Sequence, residues 1–135
     1  MLGANFFDNG WPSCGEIDIM EYLGHEPKKV HGTAHWGPQG SPSISKTSTY
    51  TLPGGDFTDE FHVFSIIWES NKIEWYVDDK LYNTVTLSDV GSPYPFNSEF
   101  FFILNVAVGG NWPGNPDAST TFPQRMIVDY VRMFQ

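Results

Sequence analysis

Gly15-Glu16-Ile17-Asp18-Ile19-Met20-Glu21 places three carboxylates within six residues and separates them only with apolar side chains. The segment is too hydrophobic for a solvated acidic loop, and Ile17 and Ile19 favour an extended backbone. Alternate residues of a strand share a face, so Glu16 and Asp18 point one way and the two isoleucines the other. Strict alternation would then put Met20 on the acidic face and Glu21 in the core. A one-residue bulge at Met20 removes the conflict and returns Glu21 to the side of Glu16 and Asp18. An edge strand charged to repel neighbours is the blander alternative, but such edges seldom need three acids on one face.

With the bulge absorbing one residue, Glu16 and Glu21 stand about four strand steps apart, roughly 13 Å between Cα atoms. Two converging Glu side chains would close the carboxyl gap to about 5–6 Å, the range for double-displacement glycoside hydrolysis. Side chains that do not converge would leave the wider gap of an inverting enzyme. Asp18 lies between them, placed to accept or share a proton. Like charges this close raise at least one pKa, as a general acid working near neutral pH requires.

Glu16-Ile17-Asp18-Ile19-Met20-Glu21 resembles the active-site signature of glycoside hydrolase family 16 in its laminarinase-like form. That form carries the extra residue, here Met20, that lichenases and xyloglucan transglycosylases lack. The resemblance implies Glu16 as nucleophile, Glu21 as acid/base and Asp18 as helper between them. It also implies a jelly-roll β-sandwich of antiparallel sheets, a chemistry that requires no cofactor, and a secreted location.

Composition agrees with an all-β sandwich: 135 residues with 11 Phe, 6 Tyr, 5 Trp, 13 Gly and 10 Pro suit many strands and turns. A net charge of −9 argues against nucleic acid or an anionic membrane as partner, and a neutral polysaccharide is compatible with it. No segment has the length of a membrane span, and the first residues have neither a basic start nor a long apolar run. Cys14 is the sole cysteine; beside the acidic strand it reads as a buried structural thiol.

Alternation and turn residues predict strands over 30–36, 47–52, the end of 57–68, 73–77, 81–86, 99–108 and 126–134. Residues 37–46 and 87–97 read as loops, the latter barred from a regular helix by Pro93 and Pro95 but open to a short turn. His31, Thr33 and His35 share one face of the second strand, with the two histidines about 13 Å apart, too far for a common metal. His31 and His62 read as structural, and Trp68 and Trp75 as core. In the run 99–108, Asn105 is the polar residue that asks for a partner, in the cleft or on a neighbouring backbone. Trp112, held among glycines in Gly109-Gly110-Asn111-Trp112-Pro113-Gly114, has no bulky neighbours in sequence, so its indole face can be offered to a sugar. Asn111 beside it is a weaker candidate.

Here too the resemblance extends the reading. It implies His35 close to the acids, Trp112 as a sugar platform, and Asp129 in the closing strand as one carboxylate of a structural Ca²⁺. Calcium takes six to eight oxygens, and one Asp without upstream partners binds poorly. A substantial N-terminal portion precedes the acidic strand in the family, so the chain reads as the C-terminal part of one longer catalytic domain, with residues 1–135 all belonging to it. The expected activity is a retaining endo-β-1,3-glucan hydrolase acting on laminarin-type polysaccharide. The alternative is a sandwich that binds glucan without cleaving it, or a fragment that completes its sheets with further strands. Open sheet edges would then favour self-association.

Overall fold

A computed structural model describes residues 1–135 and divides them into two compact units, Met1–Ile103 and Leu104–Gln135. The first unit is an all-β sandwich of two antiparallel sheets. One sheet contains β1 (Leu2–Gly3), β2 (Glu16–Tyr22), β3 (Lys29–Trp36), β4 (Ile44–Thr51) and β8 (Phe100–Phe101), in the order β4-β3-β2-β1-β8. The other contains β5 (Phe64–Glu69), β6 (Lys72–Val77) and β7 (Lys80–Thr86), in the order β5-β6-β7. This is the jelly-roll class of sandwich that the resemblance implies, and the all-β class that composition suggests.

The core forms where the two inner faces meet. Ile17, Ala34 and Trp36 come from the larger sheet, Ile73, Trp75 and Val85 from the smaller, and Phe96 from a short 3₁₀ turn, Pro95–Asn97. Ile17, Ile73, Trp75, Val85 and Phe96 have no exposed surface. Each such aliphatic or aromatic side chain stabilises the fold by about 1.5–3 kcal/mol relative to exposure. Cys14 is also fully buried, and His31 sits 8% exposed with Nδ1 2.9 Å from Thr49 Oγ1. His62 bridges to Asp78 at 2.6 Å beside the β6–β7 turn.

Two hydrogen bonds cross between the sheets onto main-chain carbonyls. The Trp75 indole donates to Asp18 O at 2.9 Å, and the Asn83 amide donates to Gly32 O at 2.9 Å. Gly32 has no side chain to resist this approach: a Cβ there would overlap both the Trp75 ring and the Tyr82 hydroxyl.

Several expectations change. β4 begins at Ile44, inside the predicted loop, because it pairs with the whole of β3, from Lys29↔Thr51 to Trp36↔Ile44. The loop at 87–97 keeps its expected short turn, a single turn of α-helix at Leu87–Val90 closed by a Thr86–Asp89 capping box. Trp75 is core, but Trp68 is 37% exposed, with its indole N–H on Phe96 O at 2.8 Å. The largest correction concerns 99–108 and 126–134. The first run forms a ladder only at Phe100–Phe101, because its neighbour β1 offers only Leu2 and Gly3. Residues 126–134 form no strand, and Ile127, Met133 and Phe134 are 71%, 72% and 86% exposed. A strand requires a second strand to take its N–H and C=O groups, and apolar alternation alone supplies none.

Gly32→Ala should lower the urea midpoint by an amount equivalent to about 1–3 kcal/mol, the usual cost of overpacking. Gly24→Ala, where a Cβ meets nothing within 4 Å, should leave the midpoint nearly unchanged. Equal effects from the two substitutions would refute the close packing of Trp75 and Tyr82 over Gly32.

Candidate active site

β2 and β3 run antiparallel in the register Glu16↔His35, Ile17↔Ala34 and Asp18↔Thr33, and then Glu21↔His31. Between the last two pairs β2 advances three residues while β3 advances two. Ile19 and Met20 therefore stand opposite the single residue Gly32, which is a bulge where the acidic segment needs one. Ile17 is fully buried beneath, and Glu16, Asp18 and Glu21 remain partly accessible.

Each acid is held by a different neighbour. The Trp11 indole donates to Glu16 Oε2 at 2.5 Å. His35 Nε2 lies 3.3 Å from Asp18 Oδ2, and its Nδ1 lies 3.1 Å from Ser43 Oγ. Thr33 donates to Glu21 Oε2 at 2.9 Å and is itself 3.0 Å from Thr47 Oγ1. The acids thus lie on one face, with donors from β3 and the turn before β2 directed at them, and Thr47 on β4 and Ser43 just before it contact the β3 donors Thr33 and His35 in turn.

Burial pushes the Glu16 and Glu21 carboxyls above their ordinary values, and the nearby Asp18 charge pushes them further. The Trp11 bond on Glu16 and the Thr33 bond on Glu21 oppose the rise without cancelling it. His35 is also raised, mainly by its bond to Asp18, against the opposing effect of burial. A cluster of carboxyls, at least one held protonated beyond the usual range, beside an imidazole biased toward its charged form is an arrangement suited to proton transfer.

Trp11 is a site residue that the sequence reading left in a turn. Its ring lies 6.0 Å from that of His35 and is 44% exposed. The available signal was its setting: Gly10 and Pro12 flank it, as glycine and proline surround Trp112. Thr33, Thr47 and Ser43 were also unassigned. Asn105, Asn111, Trp112 and Asp129 fall in the second unit, Leu104–Gln135; all four are exposed, Trp112 to 53%. No group of three or more His, Cys, Asp or Glu side chains is placed to hold a metal ion. Asp129 is exposed, and a calcium ion held there would draw most of its six to eight oxygens from other groups, main-chain carbonyls among them. A separate hollow of about 320 Å³ is lined by Trp68, Glu69, Ser70, Phe96 and Asn97, and contains none of the three acids.

A model of the glycosyl hydrolases family 16 matches residues 3–132. The chain is 41% identical to glucan endo-1,3-beta-glucosidase A1 of Niallia circulans, an alignment that covers 100% of this chain and 21% of that protein. The structure of the endo-beta-1,3-glucanase from Pyrococcus furiosus superposes with a TM-score of 0.79 at 53% identity, covering 90% of this chain and 48% of the other. The laminarinase catalytic domain from Thermotoga maritima gives 0.79 at 52% identity, covering 90% and 50%. The chain thus spans about half of these solved structures and a smaller part of the bacterial glucosidase. No helix is long and apolar enough to cross a membrane.

The raised carboxyls fix the sign of the pH dependence. Folding favours the protonated forms of Glu16 and Glu21, so their contribution to stability is complete below the ordinary carboxyl range, about pH 4. It is lost as pH rises through the elevated values. His35 acts in the same direction at higher pH, stabilising below its ordinary value and losing that contribution as pH passes its raised one. Glu16→Gln and Glu21→Gln should each raise the melting temperature at pH 7–8 and flatten its pH dependence, with the gain disappearing near pH 4. Melting curves that shift equally at all pH values would refute the raised carboxyls.

Proposed function

This chain belongs to the glycosyl hydrolases family 16, and from that membership we propose that it hydrolyses β-1,3-glucan of the laminarin type with retention of anomeric configuration. The supporting observation is the bulged β2, which carries Glu16, Asp18 and Glu21 on one face with a separate donor or cation for each.

In this mechanism Glu16 attacks the anomeric carbon while Glu21 gives its proton to the departing glycosidic oxygen. Glu21 then removes a proton from water, which breaks the glycosyl-Glu16 ester and restores both residues. Asp18 lies between the two and is steadied by His35, so it can share a proton with either Glu as the charge moves. Both Glu carboxyls are raised, so acidity alone does not separate nucleophile from acid; the assignment follows the order of the acids in the motif. The Trp11 N–H on Glu16 favours the ionised, attacking form of that residue. Trp112, with Asn111 beside it and Asn105 nearby in sequence, is assigned to glucan binding, the exposed indole presenting a flat apolar face to a pyranose ring. Because the polymer is too large to enter a cell intact, we place the activity outside it.

Reducing-sugar release from laminarin, followed with the wild-type chain and with Glu16→Gln, tests the proposal. The wild type should hydrolyse the glucan, and the variant should lose on the order of a thousandfold or more in rate. Proton NMR of the first products should show the β-anomer before mutarotation. Early appearance of the α-anomer would replace retention with inversion. A folded wild-type chain that binds laminarin without releasing sugar would make it a glucan-binding sandwich instead.

A further inference from the structure

The bulge that brings Glu21 to the acidic face is gripped from the opposite sheet. Where a bulge breaks a ladder, one strand carries a residue without a cross-strand partner, and buried backbone groups there require other partners. At this break, Asp18 O on β2 takes the Trp75 indole N–H at 2.9 Å, and Gly32 O on β3 takes the Asn83 amide at 2.9 Å. Asp18 is the last paired residue before the break, and Gly32 is the residue facing it. Both donors are themselves buried, Trp75 at 0% and Asn83 at 4% exposure. Ser48 on β4 donates to Asn83 Oδ1 at 3.1 Å, which fixes the amide so that its nitrogen points at Gly32. The missing side chain of Gly32 is what lets Trp75 and Tyr82 approach.

We propose that Trp75 and Asn83 are positioning residues that lock the β2 bulge in its register, and so hold Glu21 beside Asp18 and Glu16. The inference deepens the hydrolase reading and rests on it for its catalytic consequence only. Neither residue touches the acids' carboxyl groups. They act through two carbonyls, one on each side of the break. Without those donors the two carbonyls lose buried partners, and the extra residue is free to shift along β2. A one-residue shift exchanges faces, because the side-chain period of a strand is two. Glu21 would then leave Thr33 and the field of Asp18, whereas Glu16, which precedes the break and is paired opposite His35, would keep its place.

Carboxyl titration by carbon-detected NMR, on Trp75→Phe and Asn83→Leu in the 135-residue chain, reads this directly. The charged or titratable groups that act on Glu21 are Asp18, Glu16 and His35, with the Tyr82 hydroxyl near enough to be affected by Glu21 in turn. In both variants the Glu21 midpoint should move toward the ordinary glutamate value while the Glu16 midpoint stays near that of the wild type. A role in packing alone would lower the melting temperature and leave both midpoints in place, which would overturn the proposal. Hydrolysis, where the wild type shows it, should lose kcat on the order of ten- to a hundredfold with little change in KM. An inactive wild type would overturn the hydrolase reading, and the titrations would still decide the positioning role. If neither variant folds, hydrogen exchange of the wild-type Trp75 indole N–H decides: exchange as slow as that of the β2–β3 amides is expected, and free exchange overturns the proposal.

Discussion

The mismatch between a period of two and an acid spacing of two-then-three is the constraint on which the site depends. Glu16 and Asp18 satisfy strand alternation, and Glu21 does not. A regular ladder would drive Glu21 toward Ile17, Ala34 and Trp75, where an ionised carboxylate without a partner costs several kcal/mol. The chain resolves this by placing two residues of β2 against Gly32 alone. From that point on, the strand's remaining acid sits with the first two, and Thr33 can meet Glu21 across the strands at 2.9 Å. The residue opposite the bulge, the hydrogen bonds at its flanks and the donors on the acidic face all answer to this one irregularity.

A consequence is that the site belongs to both sheets even though its acids come from one. β6 and β7 are distant in sequence from β2, yet Trp75 and Asn83 end on the carbonyls at the break. Packing and polar satisfaction are thereby coupled: the same indole that fills the core with no exposed surface also satisfies Asp18 O. Asn83 would be an expensive residue to bury if its amide were idle, but it donates to Gly32 and accepts from Ser48.

How much of this was legible follows from what alternation can and cannot say. It identified the acidic face, the bulge, the inward position of Ile17 and the core place of Trp75, since these are properties of one strand at a time. It also grouped Thr33 and His35 on one face without revealing which acid each would meet, because that depends on register between strands. Asn83 drew no sequence reading, and its partner Gly32 lies 51 positions away, beyond what alternation within one strand conveys. The runs 99–108 and 126–134 mark the opposite limit. Their hydrophobicity states a preference for burial, but the length of a ladder is set by its neighbour, and β1 supplies two residues. Trp11 was missed because a Trp in a turn has no periodic signal at all.

The acids also act against the fold that presents them. Burial and mutual repulsion raise Glu16 and Glu21, so at neutral pH the site stores unfavourable electrostatic energy in a chain already at −9. Repulsion of this kind is ordinarily relieved when a strand bows outward into water. Here Ile17 stands between Glu16 and Asp18 with its side chain wholly buried, and lifting the strand would withdraw it from the core at about 1.5–3 kcal/mol. The Trp75 bond pulls on the next residue in the same sense. Relief by displacement is therefore opposed from beneath, and the cluster must lower its energy by holding protons or by accepting donors. The first outcome provides an acid, and the second keeps it aimed.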